Sequence, residues 1–237
     1  MIVFFLLLIP TPITFCKTNL GVDFECFASP LNCYFPNFAS AFADTDRFFG
    51  SMGSFFDLDL VEGSAEANPP FNEEAMTAMV DRIEYVKKNP HFHDGILISF
   101  HLANYQLLGK SASPLSFTVF VPEWISPPTP AIPKMLNSKF LRADRIIPKL
   151  KHTFKNGSQH LVDDRIVLFS LACTYFYFSL RTAEEMYFEA IHDSHVFVLQ
   201  NDAGNAKWQP TPEVMEGIET SWAQPLDKVT RRFSAQS

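Results

Sequence analysis

The tetrapeptide Asn68-Pro69-Pro70-Phe71 combines residue types that can hold and activate an amine. The two prolines fix the backbone φ angle and remove two N–H donors, so the turn is stiff and presents acceptors only. The Asn68 side-chain oxygen and the Pro69 carbonyl can both accept hydrogen bonds from one amino group. Phe71 offers a ring on which a base can stack. The four residues therefore predict a site that orients an exocyclic amine.

Such an amine, typically adenine N6, is a poor nucleophile because its lone pair is delocalised into the ring. Two acceptors on its hydrogens favour the tetrahedral geometry in which the pair becomes available, and positioning does most of the work. Class I methyltransferases place a turn of this kind beside the methyl group of S-adenosylmethionine. Asn-Pro-Pro also occurs in ordinary loops, so the neighbouring sequence has to decide between the two.

The neighbouring sequence predicts a strand before the tetrapeptide and a helix after it. Residues 55–61 are apolar enough for a short strand. Asn72 can cap a helix with Glu73 and Glu74 in its first turn. A buried stripe follows at three- to four-residue spacing: Met76, Met79, Val80, Ile83 and Val86. A turn between a strand and a helix N-terminus is the context that such an active site requires. The amine-orienting site is therefore favoured over an ordinary Asn-Pro-Pro loop.

Three more segments predict an open α/β sheet. Residues 22–28 alternate in polarity and end in the small turn Ser29-Pro30-Leu31-Asn32, and with the acidic Glu25 they suit a cofactor loop at the carboxyl edge. Residues 115–121 form the continuous apolar run of a central strand, and 195–202 a last strand running into a turn. Trp124, just after the central strand, can stack on a base or cover the core, and both interpretations stay open.

Composition limits the possible partners. The chain has 237 residues, 47% of them apolar, and a net charge of −7, so it has no global attraction to nucleic acid. Seven basic side chains nevertheless fall within 22 residues beside one acid, Asp144: Lys134, Lys139, Arg142, Arg145, Lys149, Lys151 and Lys155. They either follow a phosphate backbone or form a solvated helix face. Four cysteines without a C-x-x-C pair or a His at metal spacing predict neither a disulfide framework nor a metal site.

The first residues form an apolar leader. Residues 2–15 contain two prolines and no preceding basic residue, so they are a poor membrane span and a poor signal peptide. We expect no membrane association, with secretion or anchoring as a distant alternative. The predicted organisation is a leader at 1–19 outside the domain, one domain at 20–225 and a polar tail at 226–237.

Taken together and in order, these strings resemble the catalytic domain of the phosphorylated CTD-interacting factor family, the cap-specific adenosine N6-methyltransferases. The strings that carry the resemblance are residues 24–35, Asp44-Thr45-Asp46, Phe49-Gly50-Ser51, residues 66–71, Pro122-Glu123-Trp124, residues 127–130, Gly157-Ser158-Gln159-His160, residues 199–202 and Lys207-Trp208. The resemblance implies a Rossmann-like class I fold. It also implies methyl transfer from S-adenosylmethionine to N6 of the cap-adjacent 2′-O-methyladenosine of mRNA, in the nucleus.

The resemblance also implies roles for individual residues. The residues that it assigns to catalysis are Asn68, Pro69, Pro70 and Phe71. Those that it assigns to cofactor binding are Glu25, Phe27, Ser29, Pro30, Asn32 and Asn68. Those that it assigns to capped RNA are Glu73, Trp124, Ile125, Ser126, Pro127 and Pro128. The family reads the phosphorylated C-terminal domain of RNA polymerase II through a separate WW module, whose signature we do not find in this sequence.

The sequence departs from the family pattern in three places. The family's amino-terminal and helical regions have no counterpart, so the catalytic fold is expected to be incomplete. Apolar segments near 89–109 and 162–182 interrupt the pattern, and we interpret them, with the leader, as translated intron or mispredicted sequence. Residues 166–180 would otherwise be a buried helix or strand. The alternative function is a catalytically inactive fragment that binds RNA or protein.

Overall fold

The computed structural model describes residues 6–8, 10–84, 107–124, 129–156 and 187–223. Its elements, in chain order, are β1 (Leu6–Leu8), α1 (Pro10–Leu20), β2 (Phe24–Ala28), β3 (Phe38–Ser40), α2 (Ala43–Asp46), a 3₁₀ turn (Arg47–Phe49), β4 (Gly63–Ala67), α3 (Glu73–Glu84), α4 (Leu107–Lys110), β5 (Leu115–Pro122), α5 (Ala131–Leu136), β6 (Leu141–Ile147), β7 (Thr153–Asn156), β8 (Tyr187–Glu189), β9 (Ser194–Gln200), α6 (Asp202–Lys207) and α7 (Pro212–Trp222). The predicted insert segments and the tail lie largely or wholly outside the described residues.

Six strands form one mixed sheet in the order β3-β2-β4-β5-β9-β6. Strands β3, β2, β4 and β5 are parallel. Strand β9 is antiparallel to both β5 and β6, so β6 runs in the same direction as the parallel strands. Among the strands of this sheet, β2 comes first in the chain. It lies between β3 and β4, the next two strands in the chain. This is the switch point of an open α/β sheet, where ligands bind outside the carboxyl ends of the strands.

Helices cover both faces of this sheet. On one face α3, α4 and α5 bury a first cluster around Met79, Leu108 and Phe117. On the other face α1 and α7 bury a second cluster around Leu20 and Trp222. Every residue of β5 and of β9 is buried, in agreement with the central strand predicted at 115–121 and the last strand predicted at 195–202. Strands β1, β7 and β8 form a separate antiparallel sheet.

Helix α1 lies within the stretch that the sequence placed outside the domain. Its Ile13, Cys16 and Leu20 are buried, and the helix packs against α7. The structure differs from that expectation because these side chains repeat at three- to four-residue spacing and so form one apolar stripe. The sequence-based boundary at 19/20 therefore falls at the end of a packed helix.

The strand predicted at 55–61 is wrong. Residues 55–57 form a turn in which Ser54 O accepts the N–H groups of Asp57 and Leu58 at 2.9 and 3.0 Å. Phe55 is buried from this turn, with its ring 5.1 Å from that of Phe27. The strand before the tetrapeptide is β4, whose small side chains fit between β2 and β5.

Helix α3 begins and packs as the sequence predicts. The Asn72 side-chain oxygen accepts the N–H of Ala75 at 2.8 Å, which caps the helix. The predicted stripe is buried at Met76, Met79, Val80 and Ile83. Within the described ranges, no helix combines the length and apolarity needed to span a bilayer.

Candidate active site

The segments singled out from the sequence meet at one edge of the sheet. Strand β2 ends before Ser29, β4 before Asn68 and β5 before Glu123. Because these strands are parallel, all three segments lie at the carboxyl edge. Two of them, after β2 and β4, flank the switch point, where the fold leaves an open crevice.

The turn after β2 is held by the side chain of one of its own residues, Asn32. The Asn32 side-chain oxygen accepts the Ser29 N–H at 2.6 Å, and the Ser29 carbonyl accepts the N–H groups of Asn32 and Cys33 at 3.0 and 2.9 Å. Asn32 is buried. These hydrogen bonds make the turn rigid, and the buried Asn32 side chain fixes its conformation.

Glu25 ties the following loop back to the sheet. Its Oε2 accepts the backbone N–H groups of Tyr34 and Phe35 at 2.6 and 3.0 Å. Burial raises the pKa of Glu25 to about 7, although the two hydrogen bonds lower it in part. The carboxylate is thus used by the protein's own backbone, and its predicted contact with a cofactor stays a prediction.

Glu66 lies beside Glu25 on the neighbouring strand, as its register partner. It is buried, and its Oε1 has no hydrogen-bond partner among the described residues. Burial, and then the charge of Glu25, raise the pKa of Glu66 well above its usual range. Two carboxyl groups therefore compete for protons beneath the switch point.

This pair predicts a stability that falls as the pH rises. Both native pKa values lie above the ordinary 4.5, so the native state holds these protons more tightly than the unfolded chain. The contribution of these two groups to the free energy of unfolding is fully present below pH 4.5. For Glu25 this contribution is lost as the pH rises through about 7. We expect Glu66→Gln to raise the unfolding free energy at pH 8 by at least about 1 kcal/mol, and not at pH 4. Denaturant unfolding at both pH values measures this, with exposed Glu62→Gln as the control; an equal gain at both would contradict it.

A cleft of about 340 Å³ opens at the switch point. Its lining joins three predicted cofactor residues, Phe27, Ser29 and Asn32, to Pro70 of the tetrapeptide. Pro30 belongs to the same turn but not to this lining, and Glu25 lies buried before the turn. The structure therefore brings these four predicted residues together at one cleft, and their roles stay predictions.

Asp46 is a lining residue that the sequence analysis did not propose as a ligand. It lies beyond the end of β3, half-exposed, about twenty residues after β2 in a doubly wound sheet, where an acid commonly hydrogen-bonds a ribose hydroxyl. In the sequence, Asp46 belongs to the string Asp44-Thr45-Asp46, which carries the family resemblance without an assigned role. The missing signal was β3, which has three residues and leaves no clear periodicity.

The tetrapeptide separates the cleft from the second cluster. Asn68 and Pro69 are buried, and the Pro70 carbonyl accepts the Asn72 N–H at 2.8 Å. Phe71 packs against the second cluster, with its ring 5.6 Å from that of Phe154 and nearly perpendicular to it. Phe71 is thus braced by a second aromatic ring, and its stacking on a base stays a prediction.

The predicted RNA-contacting residues are described in part. Glu73 is exposed in the first turn of α3, next to the tetrapeptide. Trp124 is half-buried and packs against the first cluster, so it covers the core and keeps a face outside. Ile125, Ser126, Pro127 and Pro128 lie outside the described residues.

The basic stretch is not the face of a helix, because it runs through α5, β6 and β7. Within the described residues, three of its side chains bind acids: Lys134 with Asp81 at 2.7 Å, Arg142 with Asp202 at 2.6 Å, and Arg145 with Glu219 at 2.5 Å. Lys149 and Lys151 are exposed where β6 ends, at the carboxyl edge. They follow the outermost strand of the sheet, at the same edge as the candidate site.

Three-residue or larger groups of His, Cys, Asp and Glu placed to hold a metal ion do not occur in the described part of the chain. The three cysteines described there are free thiols.

The described residues thus combine an open α/β sheet, a cleft at its switch point and an Asn-Pro-Pro-Phe turn beside that cleft. The family model described as "Phosphorylated CTD interacting factor 1 WW domain" matches residues 10–88 and 85–157. The chain belongs to this family, as the sequence predicted.

Two curated relatives extend the match. The mRNA (2′-O-methyladenosine-N(6)-)-methyltransferase of Homo sapiens is 43% identical over 204 residues, and that of Mus musculus is 42% identical over 204 residues. Each match covers 86% of this chain and 23% of the relative. The chain thus spans under a quarter of the relatives' length.

Proposed function

We propose that this chain carries the methyl-transfer site of an mRNA (2′-O-methyladenosine-N6-)-methyltransferase, acting on the adenosine next to the cap. The observation that carries the proposal is the contact between the cofactor-sized cleft and the amine-orienting turn, which share Pro70. The names of the two relatives supply the substrate, and their methyl-transfer chemistry implies a methyl donor.

The strand order supports a Rossmann-like class I methyltransferase fold. The first four strands of the main sheet, β2 to β5, are arranged as second, first, third and fourth, which is a doubly wound order. The antiparallel β9 then closes against β5 and β6. Helices on both faces complete the layers.

The cleft suits S-adenosylmethionine. Its volume falls within the range of small-molecule sites, and aromatic rings from Phe27 and Phe55 line it. Asp46 can accept hydrogen bonds from ribose hydroxyls, and the rigid turn at 29–32 forms the floor. When bound, this cofactor supplies an electrophilic sulfonium methyl group.

The tetrapeptide supplies the geometry at the amine. Asn68 and the Pro69 carbonyl accept the two N6 hydrogens, which turns the nitrogen lone pair towards the cleft. Phe71, braced by Phe154, supports the base. Burial of Asn68 excludes water from these hydrogen bonds, and that strengthens them.

The loop between β6 and β7 supplies a phosphate contact. Lys149 N–H donates to Asp193 Oδ1 and Leu150 N–H to Ala190 O, each at 2.8 Å, so the loop is anchored on both sides. Leu150 has a φ of 61°, which is strained for a side chain of this kind. The anchored loop presents two lysines beside the proposed substrate.

We expect Lys149→Ala/Lys151→Ala to weaken the binding of capped RNA and to reduce the slope of log affinity against log salt by about 1.4, the value for two phosphate contacts. Fluorescence anisotropy at four salt concentrations measures the slope. Lys139→Ala, an exposed cation at the other end of β6, is the matched control. An unchanged slope in the double variant would remove this loop from the RNA path.

Calorimetry with S-adenosylmethionine tests the cofactor half of the proposal. We expect the purified chain to bind it, and Asp46→Ala to weaken binding about tenfold, since a hydrogen bond to a charged group is lost. Exposed Asp23→Ala, before β2 at the opposite edge, should bind like the wild type. Absence of binding by the wild-type chain would favour the alternative, a non-catalytic fragment that binds RNA or protein.

We propose that the chain acts on capped mRNA as part of a protein associated with the phosphorylated C-terminal domain of RNA polymerase II, and the family description supports the association with a phosphorylated C-terminal domain. We also propose that it acts in the nucleus. We retain the predicted domain at 20–225 as the catalytic unit, with α1 packed against it. The inserts near 89–109 and 162–182 remain proposed mispredictions, which sequencing of the spliced transcript tests; a transcript with both in frame would refute that.

A further inference from the structure

A buried histidine joins three strands beside the proposed site. His195, at the start of β9, has its Nδ1 2.5 Å from Glu123 Oε2 and its Nε2 2.8 Å from Asp144 Oδ2. Glu123 follows β5, and Asp144 belongs to β6. The imidazole stacks on Phe197 with ring centroids 3.9 Å apart. One side chain therefore bridges two carboxyl groups across the sheet.

The bridge requires a defined number of protons. A neutral imidazole has one N–H and one lone pair, so two hydrogen bonds to carboxylates need a second proton among the three groups. With that proton, each ring nitrogen has one carboxyl partner, and the two contacts hold the ring in one orientation. The His195 side chain is 2% exposed and that of Glu123 10%, so neither offers a surface to RNA or to a cofactor.

The bridge ends at Trp124. Glu123 immediately precedes it, and the Glu123 N–H also donates to Asp193 O at 2.7 Å. The backbone of this segment is thus tied to the residue before β9 independently of the histidine, and the side-chain contact adds a second constraint directly before Trp124. Loss of His195 should loosen Trp124 without unpairing the strands.

We propose that His195 is a positioning residue for the RNA side of the site: through Glu123 it fixes Trp124 at the carboxyl edge, where the exposed face of the indole supports a base of the capped RNA. This rests on the proposed function. It adds a residue that touches no substrate and that motif reading does not reveal. The bridge also gives Glu123 a role, because its side chain contacts His195 and not a ligand.

Steady-state kinetics of the purified chain test the functional part. We expect His195→Ala and Glu123→Ala each to raise the KM for capped RNA about tenfold, with the KM for S-adenosylmethionine within twofold. Their effects should not add in the double variant, because both remove one interaction. Glu123→Gln, which keeps an acceptor for the imidazole, should stay within threefold of the wild type. Ile83→Ala, a cavity variant at the end of α3, should destabilise the protein without this separation of KM values.

Fluorine NMR with 5-fluorotryptophan tests the structural part without turnover. The chain has three tryptophans, so three resonances are expected, and Trp124→Phe assigns one of them. His195→Ala should shift or broaden the Trp124 resonance and leave those of Trp208 and Trp222 in place. An unmoved Trp124 resonance, or additive kinetic effects, would overturn the proposal. If the wild type has no turnover, the proposed function fails, and the spectrum still decides whether His195 positions Trp124.

Discussion

Asn68→Ala should reduce methyl transfer to capped RNA by a hundred- to a thousandfold in kcat, on the order found when one pre-organised hydrogen-bonding group is removed from an active site. The side chain is buried at the end of β4, two residues before Pro70 of the cleft lining, and in the proposed function its oxygen accepts a hydrogen bond from the amine. Cofactor affinity should change only a few-fold, because Asn68 is not among the residues lining the cleft. Single-turnover rates with isotopically labelled methyl donor measure the loss.

Two variants separate this role from a loss of structure. Asn68→Asp keeps an acceptor and should retain measurable transfer. Asn72→Ala removes the helix cap four residues later and should lower stability by about 1 kcal/mol while leaving transfer largely intact. Turnover of Asn68→Ala near the wild-type rate would show that this side chain does not orient the amine.

Asn201→Ala should produce the largest loss of stability, on the order of 3 to 5 kcal/mol, because it leaves several backbone groups in the protein interior without their hydrogen-bond partner. Asn201 Oδ1 accepts the N–H groups of Leu115 and Gly204 at 3.1 and 2.7 Å. Its Nδ2 donates to the carbonyls of Ser111 and Ser113 at 3.0 and 2.8 Å. One buried amide thus ties the end of β9 to the start of β5 and caps α6.

Urea unfolding followed by circular dichroism measures this effect. Asn137→Ala is the matched control, since its exposed amide donates to one carbonyl, Pro133 O at 2.7 Å, and should change stability by less than about 0.5 kcal/mol. A similar small change for Asn201→Ala would mean that the four hydrogen bonds do not hold β5 and β9 together.

Sequence patterns predicted the parts of the fold in which many apolar side chains are buried. Strand β5 was predicted from an apolar run, β9 has four apolar residues at its centre, and α3 has a regular stripe with a cap, so each was recognised. Strand β4 was missed because its side chains are small: it is held by close packing between neighbours, which periodicity does not register. The apolar residues near Phe55 serve the core from a turn and so imitated a strand.

The candidate site could be predicted in its motifs but not in its internal contacts. The tetrapeptide and the turn after β2 were located because their residue types carry chemistry. Three contacts depend on segments that only the fold brings together. They are the hydrogen bonds from the backbone to Glu25, the bridge at His195 and the position of Asp46 in the cleft lining. The pairing of Arg142 and Arg145 with acids from α6 and α7 is likewise long-range, so the basic stretch looked freer in sequence than it is.

The most direct test of the central claim is mass spectrometry of nucleosides from capped RNA after incubation with the chain and S-adenosylmethionine. The RNA begins with 2′-O-methyladenosine, and an otherwise identical RNA beginning with 2′-O-methylguanosine is the control. We predict a gain of one methyl group on N6 of the first adenosine, absent from the control and from Asn68→Ala. Unmodified adenosine at saturating cofactor and RNA, with the folded chain shown to bind both, would contradict the assignment of a methyl-transfer site to this sheet edge.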